Sequence, residues 1–188
     1  MTDIVDLHRR SVEWFGSNVE KVGDDQWGQS TPCADWDVRA LVNHVVSEDL
    51  WTAPLMEGKT IAEVGDVYDG DVLSDDPKGA WRSASTSALE STAPDRAMDR
   101  IVHLSFGDFP ASEYAYQLFA DHLIHGWDLA RGIGADEAMD PELVDACAAW
   151  FAAMEEIYRQ SGATAERPPV PDGADAQTRL LAAFGREA

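Results

Sequence analysis

At 188 residues, 45% hydrophobic and 26% charged, the chain has the balance of a folded protein of about one domain and is too apolar for disorder. Asp and Glu total 35 against 14 Lys and Arg, a formal charge of −21 that repels phosphate backbones and anionic lipid, so neither nucleic acid nor a membrane surface is expected as a partner. Cys33 and Cys147 form no CxxC pair, the start from Met1 to Asp6 lacks a leader pattern, and no stretch approaches the roughly 18 apolar residues that span a bilayer, so a soluble cytoplasmic protein with reduced thiols is expected.

Helical periodicity runs along most of the chain. Ile4, Leu7, His8, Val12, Phe15, Val19 and Val22 recur at spacings of three and four, predicting an amphipathic helix over residues 3–22 that Gly23-Asp24-Asp25 stops. A polar loop over 29–35 ends in Asp35 as the expected cap of a second helix, 37–57. Its apolar side is Val38, Leu41, Val42, Val45 and Val46, and Pro54 bends or ends its last turn. Residues 58–76 read as a Gly- and Asp-rich connector with one helical turn near 60–64. Asp76-Pro77 is a cap followed by an N1 proline and opens a third helix to residue 92. Residues 100–106 read as extended or irregular, closed by Gly107-Asp108-Phe109-Pro110. A fourth helix runs over 111–131, ended by Gly132 and Gly134, and Asp140-Pro141 opens a fifth to residue 160. Arg167-Pro168-Pro169-Val170-Pro171 cannot join a helix; a short last one, 176–184, packs Leu180, Leu181 and Phe184 on the body. The reading is an all-α chain: four long helices in a bundle, an extra helix and a docked C-terminal tail, with a domain over 1–162 and the tail over 163–188.

The chemistry concentrates in Asp121-His122-Leu123-Ile124-His125-Gly126-Trp127-Asp128. On a helix, Asp121 and His125 stand at i and i+4 on one face, while His122 and Asp128 flank that stripe. A carboxylate and an imidazole on one inward face make half of a helix-borne metal site whose remaining ligands come from a facing helix. His44, set among valines in the second helix, is the third candidate, and Glu48 one turn on is a fourth ligand, an outer acceptor or a base. Two imidazoles and one carboxylate leave an open coordination position, which suits catalytic zinc or non-haem iron, with nickel and copper competing on affinity. The alternatives stay open: a core histidine satisfied by a hydrogen bond, and a helix-surface Asp–His pair. His8 and His103 have no partners visible in the sequence and read as structural or solvated. Cys33, ahead of a helix, is either a thiol activated by the helix dipole or a small buried apolar residue behind Pro32. The tryptophans read as packing, with Trp127 able to wall a pocket beside His125.

Thr31-Pro32-Cys33-Ala34-Asp35-Trp36-Asp37-Val38-Arg39 followed by Asn43-His44-Val45-Val46 resembles the N-terminal signature of the DinB-like, mycothiol-dependent maleylpyruvate isomerase type of metal-binding protein. His125-Gly126-Trp127-Asp128-Leu129-Ala130 resembles the second signature, and the tail over 177–186 is similar to that of an actinobacterial branch. The resemblance implies a DinB-like four-helix bundle holding a divalent metal, zinc with nickel or iron as alternatives, on His44, Asp121 and His125. It implies a metal-dependent transferase or isomerase that takes a low-molecular-weight thiol, mycothiol, and a small electrophile. Glu48 or Asp128 would orient a ligand, and Arg39 would meet an acidic group or else pair on the Asp35–Asp37 turn. The isomerase has glutamate where this chain has Asp121, and a further α/β domain with a catalytic arginine. About 25 residues follow the last long helix here, so maleylpyruvate isomerisation itself is not expected. The rival reading is a non-catalytic metal- or ligand-binding bundle acting as a homodimer.

Overall fold

A computed structural model describes residues 3–188, which divide into two compact units, one ending at Asp136 and the other running Glu137–Ala188. The first holds the helical bundle. Helix α1 (Ile4–Val19) begins on Asp3, whose side chain accepts from the Val5 N–H, and it buries the stripe Ile4, Leu7, His8, Val12, Phe15 and Val19. It ends at the Glu20 cap, earlier than expected, although Val22 beyond it is still buried.

Helix α2 (Val38–Met56) is capped by Asp37 rather than Asp35. The path of the loop decides this. Val38 N–H donates to Gln29 O and Arg39 N–H to Trp27 O, each at 2.9 Å, and the Thr31 hydroxyl donates to Trp36 O at 2.8 Å. Asp35 lies in a turn closed by Trp36 N–H donating to Cys33 O, whereas Asp37 is extended and pairs with Ser30, and its carboxylate accepts from Ala40 N–H at 2.8 Å. Pro54 lies inside the last turn without ending it. The connector carries one turn, α3 (Ile61–Val64), opened by a Thr60–Glu63 capping box. Asp76 and Pro77 open α4 (Pro77–Thr92) as their chemistry predicts.

After a 3₁₀ turn at Ala97–Asp99, the segment read as extended is the first strand of a hairpin. Strand β1 (Ile101–Leu104) pairs antiparallel with β2 (Gly107–Pro110), placing Val102 opposite Phe109 and His103 opposite Asp108. His103 Nδ1 lies 2.7 Å from Asp108 Oδ1, the partner the sequence did not reveal. Helix α5 (Ala111–Ile133) follows directly and ends at Gly134 in the left-handed region, φ 70°.

Helix α1 packs along α5 and α2 along α4, with α2 also against α5. Phe15, Val19, Leu41, Val42, Val45, Trp81 and Leu129 meet in the main core. A smaller cluster, with Leu55, Met56, Val102, Tyr114 and Leu118, lies by the hairpin. Full burial of each such side chain contributes about 1.5–3 kcal/mol before entropy is counted. Gly126 permits the α1–α5 approach: a Cβ there would stand 2.3 Å from Trp14 Nε1, while Asn18 Nδ2 donates to Gly126 O at 3.2 Å.

In the second unit, α6 (Pro141–Ser161) and α7 (Ala176–Ala183) pack together, with Phe151 and Phe184 stacked at 3.8 Å. The Gln177 side chain accepts from Met139 N–H and donates to Glu137 O, tying the tail helix to the start of its unit. Among the described residues, no helix is long and apolar enough to cross a membrane, and neither Cys33 nor Cys147 is in a disulfide.

Candidate metal centre

Where α2 faces α5, His44 Nε2 and His125 Nε2 each lie 3.5 Å from Asp121 Oδ1. The two imidazole rings stand 5.2 Å apart, nearly perpendicular at 78°. One ligand atom from each residue lies within 4.8 Å of the others, and Asp121 Oδ2 is buried with no hydrogen-bond partner. Ligands about 2.1 Å from a zinc-sized ion in tetrahedral geometry are separated by roughly 3.4 Å, so the two 3.5 Å edges fit such an ion. Burial alone would lower the His44 imidazole pKa, but the adjacent Asp121 carboxylate raises it above its ordinary value. Burial opposes ionisation of Asp121 as well; His125 and His44 nevertheless hold it well below the usual carboxylate range.

Asp128, one turn beyond His125 and fully buried, does not face the centre; it orients it. Its Oδ2 lies 3.0 Å from His125 Nδ1 and also accepts from the Cys33 thiol at 3.2 Å. An acceptor at Nδ1 places the ring proton there, and Nε2 then presents its lone pair toward Asp121 and His44. Cys33 Sγ stands 3.8 Å from Nδ1, so Cys33, His125 and Asp128 form a second ligand-capable group on the far side of the same imidazole. Cys33 is thus half-buried, packed on the main core as its apolar reading expects, with its thiol turned to the Asp128 carboxylate.

Glu48 is half-buried; burial first, then the Asp121 carboxylate, push its carboxyl above the ordinary range. His122, next in sequence to Asp121, turns away. Its Nδ1–H donates to Leu118 O at 2.7 Å, and Nε2 lies within ion-pair reach of fully buried Asp49, at 3.2 Å without an aligned hydrogen bond. His8 is buried beside it, ring to ring at 5.5 Å, and its two nitrogens have no hydrogen-bond partner.

Trp36, not Trp127, walls the centre. Its ring lies 4.6 Å from that of His44 and 5.5 Å from that of His125. Trp127 is buried, with the Arg131 guanidinium over its ring at 4.4 Å. Arg39 pairs with Asp71 at 2.8 Å and donates to Ser74 O at 2.8 Å, so the expected pair on the Asp35–Asp37 turn is replaced by one with the connector. An open groove of about 590 Å³ runs from His44 past Trp36, Asn43, Tyr68, Asp69 and Asp71. The sequence placed Trp36 in a signature without a role and gave no signal for Asp49, because neither spacing nor composition says which loop ring lands on an imidazole or which carboxylate meets His122.

Residues 8–130 match the family described as the mycothiol maleylpyruvate isomerase N-terminal domain. An uncharacterised protein of Mycobacterium tuberculosis, in strain CDC 1551 / Oshkosh and in strain H37Rv, is 30% identical over 185 residues, covering 95% of this chain and 95% of its own length. Among solved structures, a mycothiol-dependent maleylpyruvate isomerase superposes with a TM-score of 0.65 at 18% identity. A histidine-to-alanine variant of such an isomerase superposes with 0.68 at 17%, and both alignments cover 89% of this chain and 77% of the other. At those identities the likeness establishes the fold, the DinB-like helical bundle. The family match spans His44, Asp121, His125 and Asp128 alike, and on it the chain belongs to the mycothiol maleylpyruvate isomerase N-terminal domain family.

Proposed function

We propose that the chain binds one divalent metal ion, zinc first with nickel or iron as alternatives, on His44, Asp121 and His125. With it the protein would use a low-molecular-weight thiol, mycothiol first, to transfer to or isomerise a small electrophile. The observation that best supports this is the convergence of both Nε2 atoms on Asp121 Oδ1 at 3.5 Å, beside a buried Oδ2 with no partner. A divalent cation held there would lower the pKa of an approaching thiol and so supply thiolate at neutral pH. The chain's residues divide the remaining work. Asp128 fixes the His125 ring, and Trp36 lies over both imidazoles and limits their rotation. Glu48, its carboxyl raised by burial, is suited to hold or give up a proton at a carboxylate oxygen near the centre. Family membership, and the mycothiol dependence named for the isomerase of similar fold, support mycothiol as the first thiol to test.

Elemental analysis of protein purified without chelator tests the metal. Wild type is expected to carry about one ion per chain, His44→Ala and His125→Ala close to none, and His122→Ala most of it. A mycothiol-conjugation screen over an electrophile panel then tests the chemistry, with turnover that needs both thiol and metal as the expected result. Equal metal in all variants, or none in wild type, reduces the cluster to a hydrogen-bonded core. Metal without thiol-dependent turnover makes the protein a binder.

A further inference from the structure

We propose that the groove beside His44 selects its small-molecule partner by charge, admitting neutral or cationic compounds and turning carboxylates away. This rests on the reading of the His44 centre as the reaction site. Arg39 is the one permanently charged cation among the described residues lining the groove, against three carboxylates, Asp37, Asp69 and Asp71. It is also committed, since its Nη2 lies 2.8 and 3.1 Å from the two Asp71 oxygens and 2.8 Å from Ser74 O. An incoming carboxylate therefore meets a guanidinium whose charge Asp71 already offsets.

The acidic wall is held in place from α2. Asn43 Nδ2 donates to Gly70 O at 2.8 Å, Asn43 Oδ1 accepts from Val72 N–H at 2.9 Å, and the Ser47 hydroxyl donates to Tyr68 O at 3.1 Å. These bonds bracket Asp69 and Asp71, so their charges stay on the groove rather than swinging with a loose connector. A concave wall of one sign concentrates its field within the cleft. Trp36 and Tyr68 add aromatic faces, which favour cations and neutral rings over anions. The reacting head of a ligand reaches the centre at His44, which lines the groove, while its tail rests against Asp69 and Asp71. A dicarboxylate such as maleylpyruvate meets the wrong charge along that path.

The test uses metal-loaded protein and three small thiols: cysteamine, 2-mercaptoethanol and mercaptoacetate, cationic, neutral and anionic in turn. Dissociation constants are read by NMR from the Trp36 indole and Gly70 amide at low salt. Each probe is compared between wild type and variant, which cancels differences in thiol acidity. Asp69→Asn is expected to weaken cysteamine and tighten mercaptoacetate by about twofold each. Asp71→Asn, which removes a charge and releases Arg39, is expected to do so by about fivefold. 2-Mercaptoethanol should not move, Asp95→Asn away from the groove should change nothing, and about 0.5 M salt should shrink the differences. Selection is overturned if Asp69→Asn and Asp71→Asn shift all three probes alike, or if Asp95→Asn acts as strongly as they do. If the thiols bind without charge dependence, only this inference falls; if none binds the loaded wild type, the thiol reading of the centre falls with it.

Discussion

The Asp128 carboxylate serves two neighbours at once, the His125 Nδ1 at 3.0 Å and the Cys33 thiol at 3.2 Å. Asp128→Asn keeps the volume but loses the charge that fixes the ring proton, and is expected to weaken metal affinity about 10- to 100-fold while the protein stays folded. Cys33→Ala removes only a weak donor and is expected to change affinity by a few-fold at most; competition with a chelating dye measures both. Asp121→Glu lengthens the arm to match the isomerase and is expected to retain or strengthen binding. His8 carries a different consequence. Burial, then the neighbouring His122, depress its pKa from 6.5 to about 3. Between those values the unfolded chain takes a proton that the native chain refuses, so stability present above pH 6.5 is lost as pH falls toward 3, by up to about 1.4 kcal/mol per unit. Urea unfolding of wild type and His8→Leu at pH 7 and pH 5 checks this: the variant should lose less on acidification, and equal losses would remove His8 from the account. Much of the centre was legible because the i, i+4 rule puts Asp121 and His125 on one face and a lone imidazole in a valine run asks for a partner. Trp36, the Asp49–His122 pair and the Arg39–Asp71 pair were not, since each depends on how a loop or a neighbouring helix is laid down.

At the scale of elements, helix identity followed from periodicity and cap chemistry, and α4, α5, α6 and α7 begin where Pro, Asp and the hairpin end require. Boundaries failed where tertiary hydrogen bonds compete with local signals. Asp35 has the right side chain for a cap, yet the bonds from Val38 and Arg39 back to Gln29 and Trp27 carry the chain two residues further. Asp37→Ala should therefore cost about 1 kcal/mol of stability where Asp35→Ala costs little, and thermal melts of the pair decide between the caps. The hairpin was readable only as extended backbone, because four-residue strands joined through Ser105 and Phe106 carry too few alternations to declare a register. The α1–α5 contact gives a sharper test. A methyl at position 126 would sit 2.3 Å from Trp14 Nε1, so Gly126→Ala must push the helices apart or displace the indole. A loss of about 1–3 kcal/mol is expected, despite alanine's better helix propensity. Trp14→Leu in the same chain should recover part of it; a neutral Gly126→Ala would mean that the indole moves freely.

For the whole molecule, the formal −21 sets two salt responses against each other. Salt weakens exposed ion pairs such as Arg82–Glu20 at 2.7 Å and Arg167–Glu155 at 2.8 Å, which lowers stability. It also screens repulsion among carboxylates, which raises it. The two are not matched in size. Only 14 Lys and Arg are available to pair with 35 Asp and Glu, so most of the negative charge has no fixed partner to lose. Exposed pairs contribute little each, whereas repulsion acts among all the excess charges within a Debye length, which shrinks from about 30 Å at 0.01 M to about 8 Å at 0.15 M. Screening should win, and the melting temperature is expected to rise over that range and then level off. Sodium chloride and choline chloride should act alike, because screening depends on ionic strength and not on the cation; a rise with only one of them would indicate specific ion binding. A flat or falling melting temperature in metal-free protein would show that the carboxylates are spaced too widely to repel, and would remove global charge as a factor in its stability.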